Sequence, residues 1–174
     1  MFRVNVLNII GDEPVSLEEV KRFCRIDQDY IGEDDLLKTL ISSARSMIEQ
    51  YANISLIKKR LEVFTDSTKL FWLPMSPVIE IESLVDENGD TLYLESPQAQ
   101  RLKVNSHNGY VVTYQAGFGK VPADLKLAIM KQVATDYDNR ENFTVSERSQ
   151  VISGVELSNS AKSLVKPYNR NLWL

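Results

Sequence analysis

The widest apolar face in the sequence lies late in the chain, over residues 122–141. Leu125, Ile129, Val133 and Tyr137 recur every four residues, close to the period of an α-helix. Pro122 suits the first position of a helix, because the N–H that proline lacks has no helical partner there. So broad an apolar face predicts a central helix with neighbours on more than one side.

A shorter helix is predicted near the start of the chain. Ser16 and Glu19 have the spacing of a capping box, in which each side chain bonds the backbone N–H of the other residue. We therefore expect a helix over about residues 17–25. The residues expected to be buried on its apolar face are Leu17, Val20, Phe23 and Cys24.

A second helix is predicted over residues 36–51, where the apolar stripe is the clearest in the chain. Glu33, Asp34 and Asp35 precede this stripe and place negative charge in the first turn, where the helix dipole favours it. Together with the late helix, the two early helices predict a small helical bundle. The connection between this second helix and the late helix is too long for a simple loop.

The pattern changes to short strands in that connection. Branched and aromatic residues are concentrated there in short runs, which Pro, Gly, Asn and Asp separate. Asn88 and Gly89 form a pair typical of tight hairpin turns. Residues 2–10 also alternate loosely, which fits an edge strand, an arm on a neighbouring subunit or a loosely attached terminus. The predicted strands are 61–65, 69–73, 78–85, 91–94, 101–104 and 110–115.

These patterns predict an α+β fold, namely a small α-helical bundle with a β-rich section inserted between the second helix and the late helix. Four segments follow along the chain. We assign residues 1–59 to the first helices, 60–116 to the β-rich insertion and 117–142 to the late helix. Residues 143–174 are expected to form a polar linker and a C-terminal arm.

Composition narrows the class of protein. The chain has 174 residues, 43% of them hydrophobic and 25% charged, so a folded core is expected rather than general disorder. A net charge of −4 argues against binding of nucleic acid by the whole surface. We find no apolar run of the length that a membrane helix needs. The first ten residues are too short and interrupted for a signal peptide, and the single cysteine is compatible with a reducing cytoplasm.

Residues with catalytic or metal-binding chemistry are few and scattered. His107, the only histidine, lies in a predicted turn, and Cys24 lies on an apolar helix face. Residues 86–90 lack the spaced ligands of a calcium loop, and residues 117–120 lack the spacing of a phosphate loop. We therefore predict no enzyme activity, no catalytic residues, no metal site and no cofactor.

The C-terminal tail carries a different signal. Tyr, Trp and Arg residues are enriched in the binding hot spots of protein interfaces, and several lie here close to Pro167. The tail either folds back on its own core or docks on a partner. The residues of this candidate arm are Lys166, Pro167, Tyr168, Asn169, Arg170, Leu172 and Trp173.

Three stretches of the sequence resemble one protein family. They are Tyr114-Gln-Ala-Gly-Phe-Gly-Lys-Val-Pro-Ala-Asp running on to Tyr137-Asp-Asn-Arg-Glu, the opening Pro14-Val-Ser-Leu-Glu-Glu-Val-Lys, and the ending Leu164-Val-Lys-Pro-Tyr-Asn-Arg. In this order and spacing they resemble the head–tail connector (adaptor) proteins of long-tailed bacteriophages, a family often labelled as DNA-packaging proteins. Asn169 departs from the basic pair common in the family's ending. The β-rich section matches only through Leu73-Pro-x-Ser-Pro-Val.

The resemblance implies a structural protein of the virion neck, assembled in the cytoplasm of the host bacterium. In the family, twelve subunits form a ring below the portal after packaging. The ring extends the DNA channel and docks the next neck or tail-completion protein. DNA then passes the lumen without specific binding, free subunits can be monomers, and no membrane is involved. The candidate arm above is assigned to portal binding by this resemblance.

Two other functions remain open from the sequence. One is a bacterial protein-interaction scaffold with no phage role, in which the β-rich section is the recognition surface. The other is a metal-dependent hydrolase that uses the acidic residues Glu33, Asp34 and Asp35. The sequence does not separate a phage protein from one of a prophage remnant or a gene-transfer particle.

Overall fold

A computed structural model describes residues 2–66, 71–86, 88–92, 96–102, 109–139 and 156–169. The chain forms two compact units, and both are built from separated stretches of sequence. The sheet unit contains residues 1–12 and 53–120. The helical unit contains residues 13–52 and 121–169.

The helical unit contains four described α-helices arranged around the late one. They are α1 (Leu17–Cys24), α2 (Asp34–Ala52), α3 (Ala123–Asp138) and α4 (Asn159–Val165), and a 3-10 turn (Lys166–Tyr168) follows α4. The α3 helix packs against α1, α2 and α4, which confirms a central late helix. It begins one residue later than predicted, because Pro122 is extended and acts as the N-cap.

The capping box of α1 is confirmed, but its buried face differs from the prediction. The Glu19 N–H donates to the Ser16 hydroxyl at 3.1 Å, and the Ser16 N–H donates to the Glu19 carboxylate at 2.7 Å. Val20 is buried as expected, whereas the prediction that Phe23 is buried was wrong, since 39% of this residue is exposed. The helix ends at Cys24 in a left-handed turn, and Lys21 takes the buried position instead.

The sheet unit is built on a four-stranded antiparallel sheet with the strand order β1-β2-β6-β4. A separate pair, β3 with β5, completes the described strands. In chain order the strands are β1 (Phe2–Ile9), β2 (Lys59–Thr65), β3 (Phe71–Trp72), β4 (Val78–Asp86), β5 (Arg101–Leu102) and β6 (Tyr110–Ala116). The central strands β2 and β6 are buried most completely, and Leu61, Val63, Val112 and Tyr114 lie in the core of this unit.

The predicted α+β fold, with its β-rich section between the second and the late helix, is confirmed. The predicted strands at 61–65, 78–85 and 110–115 are present, and each is longer by one or two residues. Those at 69–73 and 101–104 are described only as the two-residue strands β3 and β5. Residues 2–10 contain the edge strand that was one of the three alternatives. The four-segment division remains a prediction.

Gly117 follows β6 and lies close to the backbone of residues 57–58, which directly precede β2. Its φ of +143° is one that residues with a side chain rarely adopt, and a Cβ there would lie 2.7 Å from the Ile57 carbonyl oxygen. The Gly117 N–H donates to the Pro77 carbonyl oxygen at 2.9 Å. The first glycine of the Gly-Phe-Gly stretch is therefore required for a close backbone approach.

Candidate functional site

The candidate site is the part of the C-terminal arm that the structure describes, together with the helix that carries it. Ser158 caps α4, because its hydroxyl accepts from the Ala161 N–H at 3.3 Å and its carbonyl accepts from the Lys162 N–H at 2.9 Å. Ala161 and Val165 are fully buried on one face of this short helix. The helix is therefore fixed to the helical unit by small apolar side chains and carries the arm at its C-terminal end.

Gln132 connects α3 to the start of α4. Its side chain is fully buried, its Oε1 accepts from the Ser158 N–H at 2.8 Å, and its Nε2 donates to an Asp136 carboxylate oxygen at 2.9 Å. Burial raises the pKa of Asp136, and the hydrogen bond from Gln132 opposes this change. The carbonyl end of this amide thus bonds the N-cap of the arm-bearing helix α4, while its amino end bonds within α3.

The described residues of the predicted arm form the 3-10 turn and the residue after it. Lys166 and Pro167 are exposed, whereas Tyr168 and Asn169 are half-buried. The Asn169 N–H donates to the Lys166 carbonyl oxygen at 3.2 Å, which closes the turn. The structure therefore brings these four residues together. The others, Arg170, Leu172 and Trp173, lie outside the described residues, and portal binding by the arm stays a prediction.

A groove of about 390 Å³ lies at the base of α4 within the helical unit. Lys162 and Glu156 form an ion pair across part of it, with 3.3 Å between Nζ and Oε2. The other lining side chains come from α2 and from the segment before α4, namely Met47, Gln50, Tyr51 and Leu157. Apolar surface is therefore available beside α4, although the sequence pattern did not indicate a groove.

The three carboxylates proposed as an alternative hydrolytic site have three different partners. Asp34 contacts the Lys21 ammonium at 2.6 Å, and Glu33 accepts a hydrogen bond from the Tyr137 hydroxyl. Asp35 forms an exposed ion pair with Lys38 at 3.1 Å. Because the three side chains have separate structural contacts, this geometry favours the helix-start interpretation over an acid–base site.

Lys21 was not predicted as a structural residue. The residue is only 3% exposed, and its ammonium donates to the carbonyl oxygens of Gln28 at 3.2 Å and Tyr30 at 2.7 Å. With Asp34, it fixes the connection between α1 and α2. The only sequence signal was its position next to Val20, on the edge of the apolar face.

The other candidate residues that the structure describes show no reactive arrangement. Burial, with a smaller contribution from the charge of Asp138, raises the pKa of the Cys24 thiol and so disfavours the nucleophilic thiolate. Asp86 accepts from the N–H groups of Asn88 and Asp90, both at 2.9 Å, as expected of a tight turn. His107 lies outside the described residues. Within the described parts of the chain there is no cluster of three metal-ligating side chains, and no helix is long and apolar enough to cross a membrane.

Comparison with known proteins gives one family match. Residues 14–91 match the family described as "Phage gp6-like head-tail connector protein". This stretch begins three residues before α1 and ends after β4, so it includes α1, α2 and the strands β2, β3 and β4. No match was found among curated proteins.

Three solved structures contain a chain with the same fold. The first, described as "Neck of empty GTA particle computed with C6 symmetry", matches with a TM-score of 0.67 and 18% identity over 96% of this chain and 95% of the other. The second, a "Virion of native gene transfer agent (GTA) particle", gives a TM-score of 0.66, 18% identity and coverage of 95% and 94%. The third, "Neck of native GTA particle computed with C12 symmetry", matches with a TM-score of 0.58 and 18% identity over 95% of both chains.

The family match and the structural match overlap over residues 14–91 and agree with each other. The family match covers α1, α2 and the strands β2 to β4, whereas the common fold extends over nearly the whole chain. The scaffold alternative, with no phage role, is not favoured by either finding. Residues 14–91 of this chain match the phage gp6-like head–tail connector family, which confirms the resemblance predicted from its sequence.

Proposed function

We propose that this protein is a structural head–tail connector in the neck of a phage or phage-like particle. The observation that carries the proposal is the match of residues 14–91 to the head–tail connector family. The fold supports it, because nearly the whole chain has the fold of chains found in gene transfer agent particles, two of them described as necks. The role is one of shape and assembly, so it needs no catalytic group.

The assembled form that we propose is a ring of twelve copies that continues the DNA channel below the portal. The C12 and C6 symmetries of the similar neck structures support a ring in which each copy makes the same contacts. Packaged DNA would pass the lumen without specific binding, and the net charge of −4 is compatible with a wall that does not hold phosphates. The opposite face would receive the next neck or tail-completion protein.

The contact with the portal is assigned to the C-terminal arm. Lys166 and Pro167 are exposed at the end of a helix that Gln132 and buried alanine and valine side chains hold in place. A fixed base with an exposed end lowers the ordering cost of docking. Twelve such contacts reinforce one another, since the first arms to bind hold the remaining arms near their sites.

The experiment is a binding assay with the portal protein of the same particle. We compare the full chain with a form that lacks residues 166–174, which keeps the buried Val165 and thus the end of α4. The truncated form should lose most of its binding to portal rings. The matched charge control compares Lys166→Glu with Lys120→Glu, an exposed lysine in the sheet unit, and only the change at Lys166 should weaken binding.

The circular dichroism signal of the helices, measured for each form, reports whether the helical unit is intact. Equal retention of the full and truncated chains on portal rings would reject the arm as the portal contact. Particles with a complete neck that assemble normally when this protein is absent would reject the connector function itself.

A further inference from the structure

The outer edge of β1 is an open edge of the four-stranded sheet. β1 pairs with β2 on one side only, and among the described residues no strand pairs with its other side. All residues from Arg3 to Ile10 are exposed. An open strand edge presents N–H and C=O groups that can pair with another chain.

The hydrogen bonds at the end of β1 show which backbone groups point outward. The Ile10 N–H donates to the Lys58 carbonyl oxygen at 2.8 Å, so Lys58 directs its polar backbone groups toward β1. In an antiparallel ladder the direction of the backbone N–H and C=O groups alternates from residue to residue. The backbone groups of Arg60, Glu62 and Phe64 therefore also point toward β1. Their partners are Asn8, Asn5 and Arg3. The backbone groups of the intervening Val4, Val6 and Ile9 thus point away from the sheet.

The side chains of β1 make this edge unusually apolar. Val4, Val6 and Ile9 lie opposite Val63, Leu61 and Lys59, all of which are buried, so they share the core-facing side of the sheet. Even so, their exposed fraction ranges from 37% for Val4 to 54% for Ile9. The charged residue in β1 is Arg3, and the strand contains neither lysine nor proline, the residues that commonly protect an edge.

The opposite edge of the same sheet is covered by the chain itself. Residues after the turn at 86–90 run back along β4, where the Leu92 N–H donates to the Leu84 carbonyl oxygen at 2.9 Å. Farther along, Gln100 bonds both backbone groups of Val78, at 2.9 and 3.0 Å. One edge is thus closed within the subunit, and the apolar edge is the one left open.

We propose that the outer edge of β1 is a contact between copies of this chain, which takes an extended segment of the neighbouring copy. This inference rests on the proposed ring and names one of its subunit interfaces. The similar neck structures have C6 and C12 symmetry, and in a symmetric ring every copy has an identical neighbour, so a second copy is the partner available to every open edge.

The size of the edge indicates where the contact forms. A branched aliphatic side chain presents on the order of 100 Å² when fully exposed, so the exposed apolar side chains of residues 4–10 supply roughly 200 Å². A standard interface buries about 800 Å² on each partner, which is several times more. The edge alone is too small for a stable dimer, but it suits a contact repeated around a ring, where neighbours are held together.

The test changes the backbone of the edge and leaves the sheet intact. Val4→Pro removes an outward N–H, which proline tolerates on an edge strand, and Val4→Thr is the matched control with the same shape and an intact N–H. Val6→Lys adds a charge to the edge, and Ser83→Lys adds the same charge at an exposed position of the covered strand β4. The readout is native mass spectrometry of the full chain, alone over a concentration series and mixed with portal rings.

The wild type, Val4→Thr and Ser83→Lys should form rings and occupy portal rings cooperatively. Val4→Pro and Val6→Lys should bind the portal singly, with at least a tenfold lower tendency to join a bound neighbour. If either variant is folded and forms rings as the wild type does, the β1 contact is rejected and the connector function stands. If the wild type forms no oligomer in either setting, the ring and this interface are both rejected.

Discussion

Replacement of Lys21 by methionine should destabilise the helical unit strongly. The lysine side chain is 4% exposed, and its ammonium contacts Asp34 at 2.6 Å and the carbonyl oxygens of Gln28 and Tyr30. Methionine fills a similar volume and provides no cation. The three oxygens then lose their common donor, at the point where the chain enters α2.

The expected loss can be worked from the exposure of these oxygens. Removal of one partner of a buried ion pair typically costs about 3–5 kcal/mol. Here the Asp34 side chain is 22% exposed, and Gln28 and Tyr30 lie on an exposed loop, so water can replace part of what is lost. We therefore expect the free energy of unfolding to fall by about 2–4 kcal/mol. For a chain of this size that corresponds to a melting temperature lower by roughly 5–15 °C.

Urea unfolding followed by circular dichroism of the helices measures the effect. The control is Lys38→Met, which removes an ion pair in the same region whose lysine and aspartate side chains are 62% and 99% exposed. Exposed pairs contribute little, so the unfolding midpoint of this control should be unchanged within experimental error. Equal midpoints for the two variants would refute the reasoning, because they would show that the buried ammonium stabilises no more than a solvated one.

Three further changes have expected outcomes. Gly117→Ala should cost at least about 2 kcal/mol in urea unfolding, because of its φ and the close Ile57 carbonyl, whereas Gly119→Ala, with open space around it, should be near neutral. Gln132→Leu should speed hydrogen exchange of the α4 amides, with a local cost of about 1–3 kcal/mol, and unchanged exchange would contradict the amide link. Burial raises the pKa of Tyr110 from about 10 to about 12. The stability that the neutral, buried side chain contributes is therefore complete below pH 10 and is lost as the pH rises through 12. Tyr110→Phe should therefore reduce the loss of stability in alkali, measured as the urea midpoint at neutral pH and between these two values.

Local signals predicted the helices well. The Ser16–Glu19 capping box acts over three residues, and the four-residue stripe from Leu125 to Tyr137 depends only on the period of the helix. Both are readable in one sequence because the interacting groups are neighbours along the chain. The prediction that Phe23 is buried was wrong, because an apolar stripe gives the direction of a side chain but does not show how far the covering elements extend.

Long-range contacts could not be predicted in this way. The placement of β2 between β1 and β6 joins residues that are 45 to 63 positions apart, and the alternation of each strand fits several partners equally well. Lys21 and Gln132 are polar residues that usually lie on the surface. Their burial depends on carbonyl and amide groups that only the folded chain brings together. For the arm, the sequence showed residue types that are common in protein interfaces, and the expectation that the partner is the portal came from the family resemblance.

The interleaved order of the two units limits how the protein can be divided. The chain passes from the sheet unit to the helical unit after residue 12, returns after residue 52, and enters the helical unit again after residue 120. No single cut therefore releases either half as one continuous fragment. A recombinant helical half would need a new linker from residue 52 to residue 121, and a proteolytic nick between the halves should leave two pieces that copurify.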